Sequence, residues 1–169
     1  SLAGPVRVDP NIHTAVDVGD EALLLARVAP AWVARDRAQG VAAAEDDSPD
    51  VIIMDDGFQN PSVAKDLSLL VIDGAFGFGN GYVFPAGPLR ESVGSALARA
   101  DAVILIGGDD AGINNILTAR GNTLPILRAQ SNPGPEAEDI KEKPVVAFAG
   151  IANPEKFFRA LRESGCEVK

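Results

Sequence analysis

Short apolar runs recur along the chain, each closing on aspartate or glycine and followed by residues at helical spacing. The run 51–54 ends in Asp55, Asp56 and Gly57, the run 67–72 in Asp73 and Gly74, and the run 102–106 in Gly107 and Gly108. None of the three alternates apolar with polar residues, the pattern of a strand covered on both faces. The first two are expected as central strands of a parallel sheet. Residues 123–127 predict a weaker edge strand, and 145–148, closing on Ala149 and Gly150, a fifth. Between them, Asp20 is placed to cap a helix carrying Leu23, Leu24 and Val28 and stopped by Pro30. Further helices are expected over 92–100, over 109–120 with Gly121 as the stop, and over 153–164. The last has Asn153 as cap, Pro154 at the first helical position, Phe157, Phe158 and Leu161 on one face, and Gly165 to close it.

Strands alternating with helices predict an α/β fold, a mainly parallel sheet flanked by helices. Ser131-Asn132-Pro133-Gly134-Pro135 opens a charged stretch of linker composition. The expected organisation is therefore a core domain over 1–130, a linker over 131–143 and the start of a second, smaller α/β domain over 144–169. The chain opens without a cap or an initiating methionine and closes where a strand should begin, so it is read as a piece of a longer protein.

Composition narrows the function. The chain has 169 residues, 46% of them hydrophobic and 23% charged, enough apolar sequence to bury a core. Its net charge of −9, without a basic run, argues against a nucleic-acid partner, whose affinity comes largely from neutralising phosphates. The apolar runs are far too short to span a bilayer. One cysteine, Cys166, excludes an internal disulfide and a thiolate zinc cage, and one histidine, His13, excludes a site that needs two imidazoles. A soluble, reduced, intracellular protein is the expectation.

Several acids and an arginine stand where chemistry is possible. Asp55 and Asp56 follow a strand, the end at which open α/β sheets bind ligands. They either hold Mg²⁺, as in phosphoryl transfer, or cap a turn. Asp20 and Glu21 at a helix start supply either a general base or a cap with a dipole-favoured neighbour. The glycines of the stretch 74–81 miss the dinucleotide fingerprint, because Tyr82 occupies the place of its third glycine. Arg90, in the rigid Pro85-Ala86-Gly87-Pro88-Leu89-Arg90-Glu91 loop, either grips a phosphate bidentately or makes a surface salt bridge. Arg35 and Arg37 either face an anionic ligand or stay solvated. His13 reads as a loop residue, Cys166 as a small buried hydrophobe, and Trp32 as packing. No Gly-x-x-x-x-Gly-Lys-Ser/Thr phosphate-binding loop occurs in these residues.

Five stretches in fixed order carry a resemblance. They are Asp17-Val18-Gly19-Asp20-Glu21, Asp55-Asp56-Gly57-Phe58-Gln59, Phe78-Gly79-Asn80-Gly81, the Pro85 to Glu91 loop and Phe148-Ala149-Gly150-Ile151-Ala152-Asn153-Pro154. Together they resemble tetraacyldisaccharide 4′-kinase, the lipid A kinase of Gram-negative bacteria. The resemblance implies a P-loop kinase of two α/β domains, peripheral at the cytoplasmic face of the inner membrane. It implies transfer of the γ-phosphate of ATP, with Mg²⁺, to the 4′-hydroxyl of an acylated disaccharide 1-phosphate. It assigns Asp20 as the base that prepares the hydroxyl and Asp55 and Asp56 as the magnesium pair. Asn80, Arg90 and Glu91 become substrate-binding residues. The family's phosphate-binding loop and membrane-anchoring segment would precede Ser1, and its aspartate–histidine motif would follow Lys169. Asn60 replaces the histidine that many members carry after D-D-G-F-Q, and Ala22 the proline after G-D-E. Two other classes share these features: a non-catalytic nucleotide- or partner-binding domain, and a Mg²⁺-dependent phosphohydrolase acting through Asp55 or Asp56.

Overall fold

The structure is a computed structural model that describes residues 4–151 and 154–169, the side chains of 135 and 136 excepted. The expected cap at Asn153 lies outside the described residues. Contacts group the chain into two compact units that meet in sequence at Leu69 and Leu70.

The first unit opens with β1 (Val6–Arg7), α1 (Ala15–Val18), α2 (Asp20–Leu25), β2 (Trp32–Val33) and α3 (Arg37–Glu45). β1 and β2 pair antiparallel, Val6 opposite Val33 and Arg7 opposite Trp32. The Arg7 guanidinium lies 5.5 Å from the centre of the Trp32 ring, a cation–π contact that covers the indole. Asp17 accepts hydrogen bonds from the Thr14 amide and hydroxyl, both at 2.8 Å, and these hold its carboxyl below the usual range. α3 is a helix beyond those the patterning predicts, although its signal is local: Asp36 accepts from the amides of Ala38 and Gln39 ahead of an alanine-rich run.

Two expectations fail here. The run 51–54 is not a strand: it has no ladder partner among the described residues, and Val51 and Ile53 are 73% and 88% exposed. A parallel strand exists only when a neighbour lies beside it, and β1 and β2 pair with each other alone. Asp20 is not the cap of α2 either. Gly19, at φ +90°, occupies that position, and Asp20 is the first helical residue.

The second unit holds all but the first residue of β3 (Leu69–Asp73), then α4 (Val93–Leu97), β4 (Ala102–Ile106), α5 (Ile113–Ala119), β5 (Ile126–Ala129), a 3₁₀ turn (Pro135–Ile140), β6 (Pro144–Val145), α6 (Pro154–Glu163) and β7 (Glu167–Val168). Its sheet is parallel in the order β3-β4-β5, with Val103 opposite Ile126 and Ile106 opposite Ala129. The α/β class is as expected, but the order is not. β3 lies at an edge, with Val71 56% exposed and Ile72 buried, and β4 is the central strand. Apolarity marks the capacity to be buried; the order of strands depends on distant pairings that composition does not encode. β5 is an edge strand as expected, set a few residues later than 123–127. Only the start of the expected strand 145–148 pairs, β6 lying parallel to β7, while Val146 and Phe148 are exposed.

Val103 and Leu105 of β4 and Ile113 of α5 are fully buried in one core cluster, with Ile72 of β3 and Leu97 of α4 beside them. Ser92 caps α4 through the Ser95 amide. Asp109 sits ahead of α5 and accepts from the amides of Ile113 and Asn114. Gly121 and Gly165 close α5 and α6 with φ of +67° and +84° and the crossed hydrogen bonds of a Schellman motif. Truncating the core should be costly. Leu105→Ala is expected to lower unfolding free energy by about 2–5 kcal/mol, measured by chemical denaturation.

Candidate active site

The carboxyl ends of β3 and β4 are held together by backbone. The Gly74 amide donates to the Ile106 carbonyl at 2.9 Å, and the Gly74 carbonyl accepts from Ala111. A side chain at Gly74 would lie 1.6 Å from the Gly108 carbonyl oxygen, so only glycine allows this approach. Asp73, on the last residue of β3, turns the chain by accepting from the amides of Ala75 and Phe76. Its other oxygen meets the Lys156 ammonium at 2.8 Å.

The Lys156 hydrogen bond, helped by the two amides, holds the Asp73 carboxyl below its ordinary value of 3.8. A carboxyl depressed on folding adds stability above the unfolded value, and that contribution is lost as pH falls through the folded one. Asp73→Asn is therefore expected to cost stability at neutral pH, with the difference from the unaltered protein shrinking in acid below 3.8. Denaturation curves at the two pH values measure it.

The long loop after β3 is fastened from beneath by Phe78 and Leu89, which pack against the core. Asn80 ties it across: its amide donates to the Ala86 carbonyl at 2.9 Å, and its oxygen accepts from the Tyr82 amide. Gly87 lies directly against this knot, where a side chain would come within 2.2 Å of the Asn80 oxygen. Both polar atoms of Asn80 thus serve the loop. Arg90 is exposed at the loop's end. The Glu91 carboxylate takes a two-pronged ion pair from Arg99, at 2.8 Å and 2.6 Å.

The acidic candidates belong to the first unit. Asp20 stands exposed on the first turn of α2, and its side chain has no hydrogen bond or ion pair among the described residues. Asp55 and Asp56 are exposed in the turn after the extended run, Asp56 with a left-handed φ of +49°. The Asp56 carbonyl accepts from the Arg37 guanidinium at 2.7 Å, so Arg37 serves this turn. Below the turn, the Lys65 ammonium donates to the Asn60 carbonyl, and the Asn60 side chain accepts from Ser62. Among the described residues no three His, Cys, Asp or Glu side chains gather as a metal-holding group. Mg²⁺ keeps most of its waters and takes one or two carboxylates together with substrate phosphates, so an exposed adjacent pair suits it.

The model of the tetraacyldisaccharide-1-phosphate 4′-kinase family matches residues 1–169, the whole chain. The chain belongs to that family. The tetraacyldisaccharide 4′-kinase of Rhodospirillum centenum is 57% identical over 168 residues, covering 99% of this chain and 49% of that relative. Its counterpart from Paramagnetospirillum magneticum is 54% identical over 165 residues, 98% of this chain and 50% of the relative. That from Rhodospirillum rubrum is 54% identical over 168 residues, 99% and 51%. The chain thus spans about half the length of these curated relatives. No solved structure matches it.

Within this kinase-family chain, the structure adds residues that motif reading passed over. Arg99 lies eight positions from its partner Glu91, and Lys156 lies 83 from Asp73. Neither separation leaves a local signal. Arg37 was visible only as a charge that could meet an anion; its partner is a main-chain carbonyl. His13 accepts from the Asp9 amide within its loop, and Cys166 is buried, both as expected. Among the described residues no helix is long and apolar enough to cross a membrane.

Proposed function

We propose that the chain is the central part of a lipid A 4′-kinase, which moves the γ-phosphate of ATP to the 4′-hydroxyl of an acylated disaccharide 1-phosphate. The match to the kinase family along all 169 residues carries this reading, and G-D-E, D-D-G-F-Q and P-L-R-E stand in order within it. In this reading Asp20 accepts the proton of the 4′-hydroxyl as its oxygen attacks the γ-phosphorus. The bond to the β–γ bridging oxygen breaks, and ADP leaves. The carboxylate's exposure and lack of a capping bond favour this role over that of a helix cap.

Asp55 and Asp56 would hold Mg²⁺, which when bound neutralises charge on the nucleotide phosphates. Arg37 supports their turn through the Asp56 carbonyl. Arg90 offers a planar guanidinium to a phosphate, and Asn80 shapes the loop that carries it. The reading also keeps a core over 1–130, a connection over 131–143 and a second domain beginning at 144. Contact with the inner membrane comes through parts of the protein outside these residues.

Phosphoryl transfer needs positioning and charge neutralisation more than covalent chemistry, which suits a chain with one cysteine and one histidine. The test is ADP release by the full-length protein with Mg²⁺ and ATP. Release should rise on adding the acylated disaccharide 1-phosphate and stay at background with an acceptor that lacks the 4′-hydroxyl.

A further inference from the structure

We propose that Glu91 and Arg99 act as a positioning pair that aims Arg90 at a phosphate, and that Glu91 does not itself touch the substrate; this rests on the kinase reading above. Three observations converge. First, both Glu91 oxygens are engaged by Arg99, Nη2 to Oε1 at 2.6 Å and Nη1 to Oε2 at 2.8 Å, and the Glu91 side chain is only 18% exposed. The fork-to-fork geometry is the strongest and most directional form of this pair, and it raises the Arg99 pKa further. Second, Arg99 is fastened in turn: it also donates to the Ser95 hydroxyl at 3.2 Å, so the pair spans α4 from the residue before its cap to the turn after its end. Third, the residue on the other side of Arg90, Leu89, packs against the core of the unit.

Arg90 is therefore the exposed member of a Leu-Arg-Glu triplet whose flanking side chains are each held by contacts within the unit, Leu89 by the core and Glu91 by Arg99. A guanidinium carries a large rotamer entropy, and bidentate recognition of a phosphate needs its plane fixed. Fixing the backbone on both sides removes part of that cost before the ligand arrives. The pairing solves an electrostatic problem as well. An unpaired carboxylate adjacent to a phosphate-binding arginine would repel the ligand, and Arg99 cancels its charge.

The experiment uses the full-length protein with Glu91→Gln, Arg99→Ala, both together, Arg99→Lys, and the reversed pair Glu91→Arg with Arg99→Glu. KM for ATP, KM for the disaccharide 1-phosphate, kcat and Tm are measured for each. Glu91→Gln and Arg99→Ala should each raise one of the two KM values about tenfold, a loss equivalent to about 1.4 kcal/mol, with kcat changed much less. The KM that moves tells whether the phosphate belongs to the nucleotide or to the acceptor. The double variant should be no worse than either single one, Arg99→Lys should fall between, and the reversed pair should recover most of the loss.

Loss in Glu91→Gln with an unaffected Arg99→Ala would overturn the proposal and make Glu91 a direct ligand. So would a reversed pair worse than either single change at unaltered Tm. If Arg99→Ala lowers Tm too far to assay, Arg99→Lys decides: normal KM values alongside a defective Glu91→Gln overturn the pairing. Absence of transfer by the unaltered protein would overturn the kinase reading itself, an outcome distinguishable because it precedes any substitution.

Discussion

Asp20→Ala in the full-length protein is expected to lower kcat by about 10²–10⁴, the usual worth of a general base, while KM for ATP changes little. The base acts on the acceptor hydroxyl as its oxygen attacks, so its loss raises the barrier without removing a contact to the bound nucleotide. The local structure makes the prediction sharp. Gly19 takes the capping position at φ +90°, and the Asp20 carboxylate is left exposed on the first turn of α2. Removing it therefore breaks no hydrogen bond in the described structure, and the loss of favourable interaction with the helix dipole is worth only about 0.3–1 kcal/mol. A large fall in kcat with a nearly unchanged Tm is the expected combination. Steady-state kinetics and a thermal melt on the same preparation measure it. Full activity in Asp20→Ala would reduce the residue to a favourable charge at a helix start.

The 169-residue chain alone is expected to show no detectable phosphate transfer under conditions in which the full-length protein turns over. These residues contain no Gly-x-x-x-x-Gly-Lys-Ser/Thr loop to surround the β- and γ-phosphates with main-chain donors and a lysine. Losing a single preorganised donor to developing charge typically costs about 10²–10³ in rate, and an entire cradle removes several at once. Assaying the two proteins side by side, at equal concentration, checks this. Robust transfer by the short chain would mean that its own arginines replace the cradle, and the assignment of Arg90 would have to be rebuilt.

Local chemistry was legible in the sequence, and long-range pairing was not. The closures by Gly121 and Gly165 and the start of α6 at Pro154 follow from residues within a turn of each other. The parallel α/β class was legible too, because unalternated runs separated by helical stretches leave few other architectures. Which run becomes the central strand was not. The run 51–54 is as apolar as β4, yet it lies exposed and pairs with no described strand, while β4 has a neighbour on each side. The same division holds for the candidate site. Asp20, Asp55, Asp56 and Arg90 announced themselves by motif. What holds them did not, since the Asp56 carbonyl meets Arg37 nineteen residues away and Glu91 meets an arginine that no motif marked. Motif reading names the residues with chemical capacity, and their partners are a product of folding.

The proposed reaction is transfer of phosphate by the intact protein to the 4′-hydroxyl of an acylated disaccharide 1-phosphate. The most direct measurement incubates the full-length protein with γ-labelled ATP, Mg²⁺ and that acceptor, isolates the lipid and locates the label on the sugar. The expected product is a labelled 1,4′-bisphosphate that depends on Mg²⁺ and forms about 10²–10⁴ more slowly with Asp20→Ala. Label appearing only as free phosphate, with generic phosphate monoesters hydrolysed equally well, would contradict it and identify a phosphohydrolase in its place.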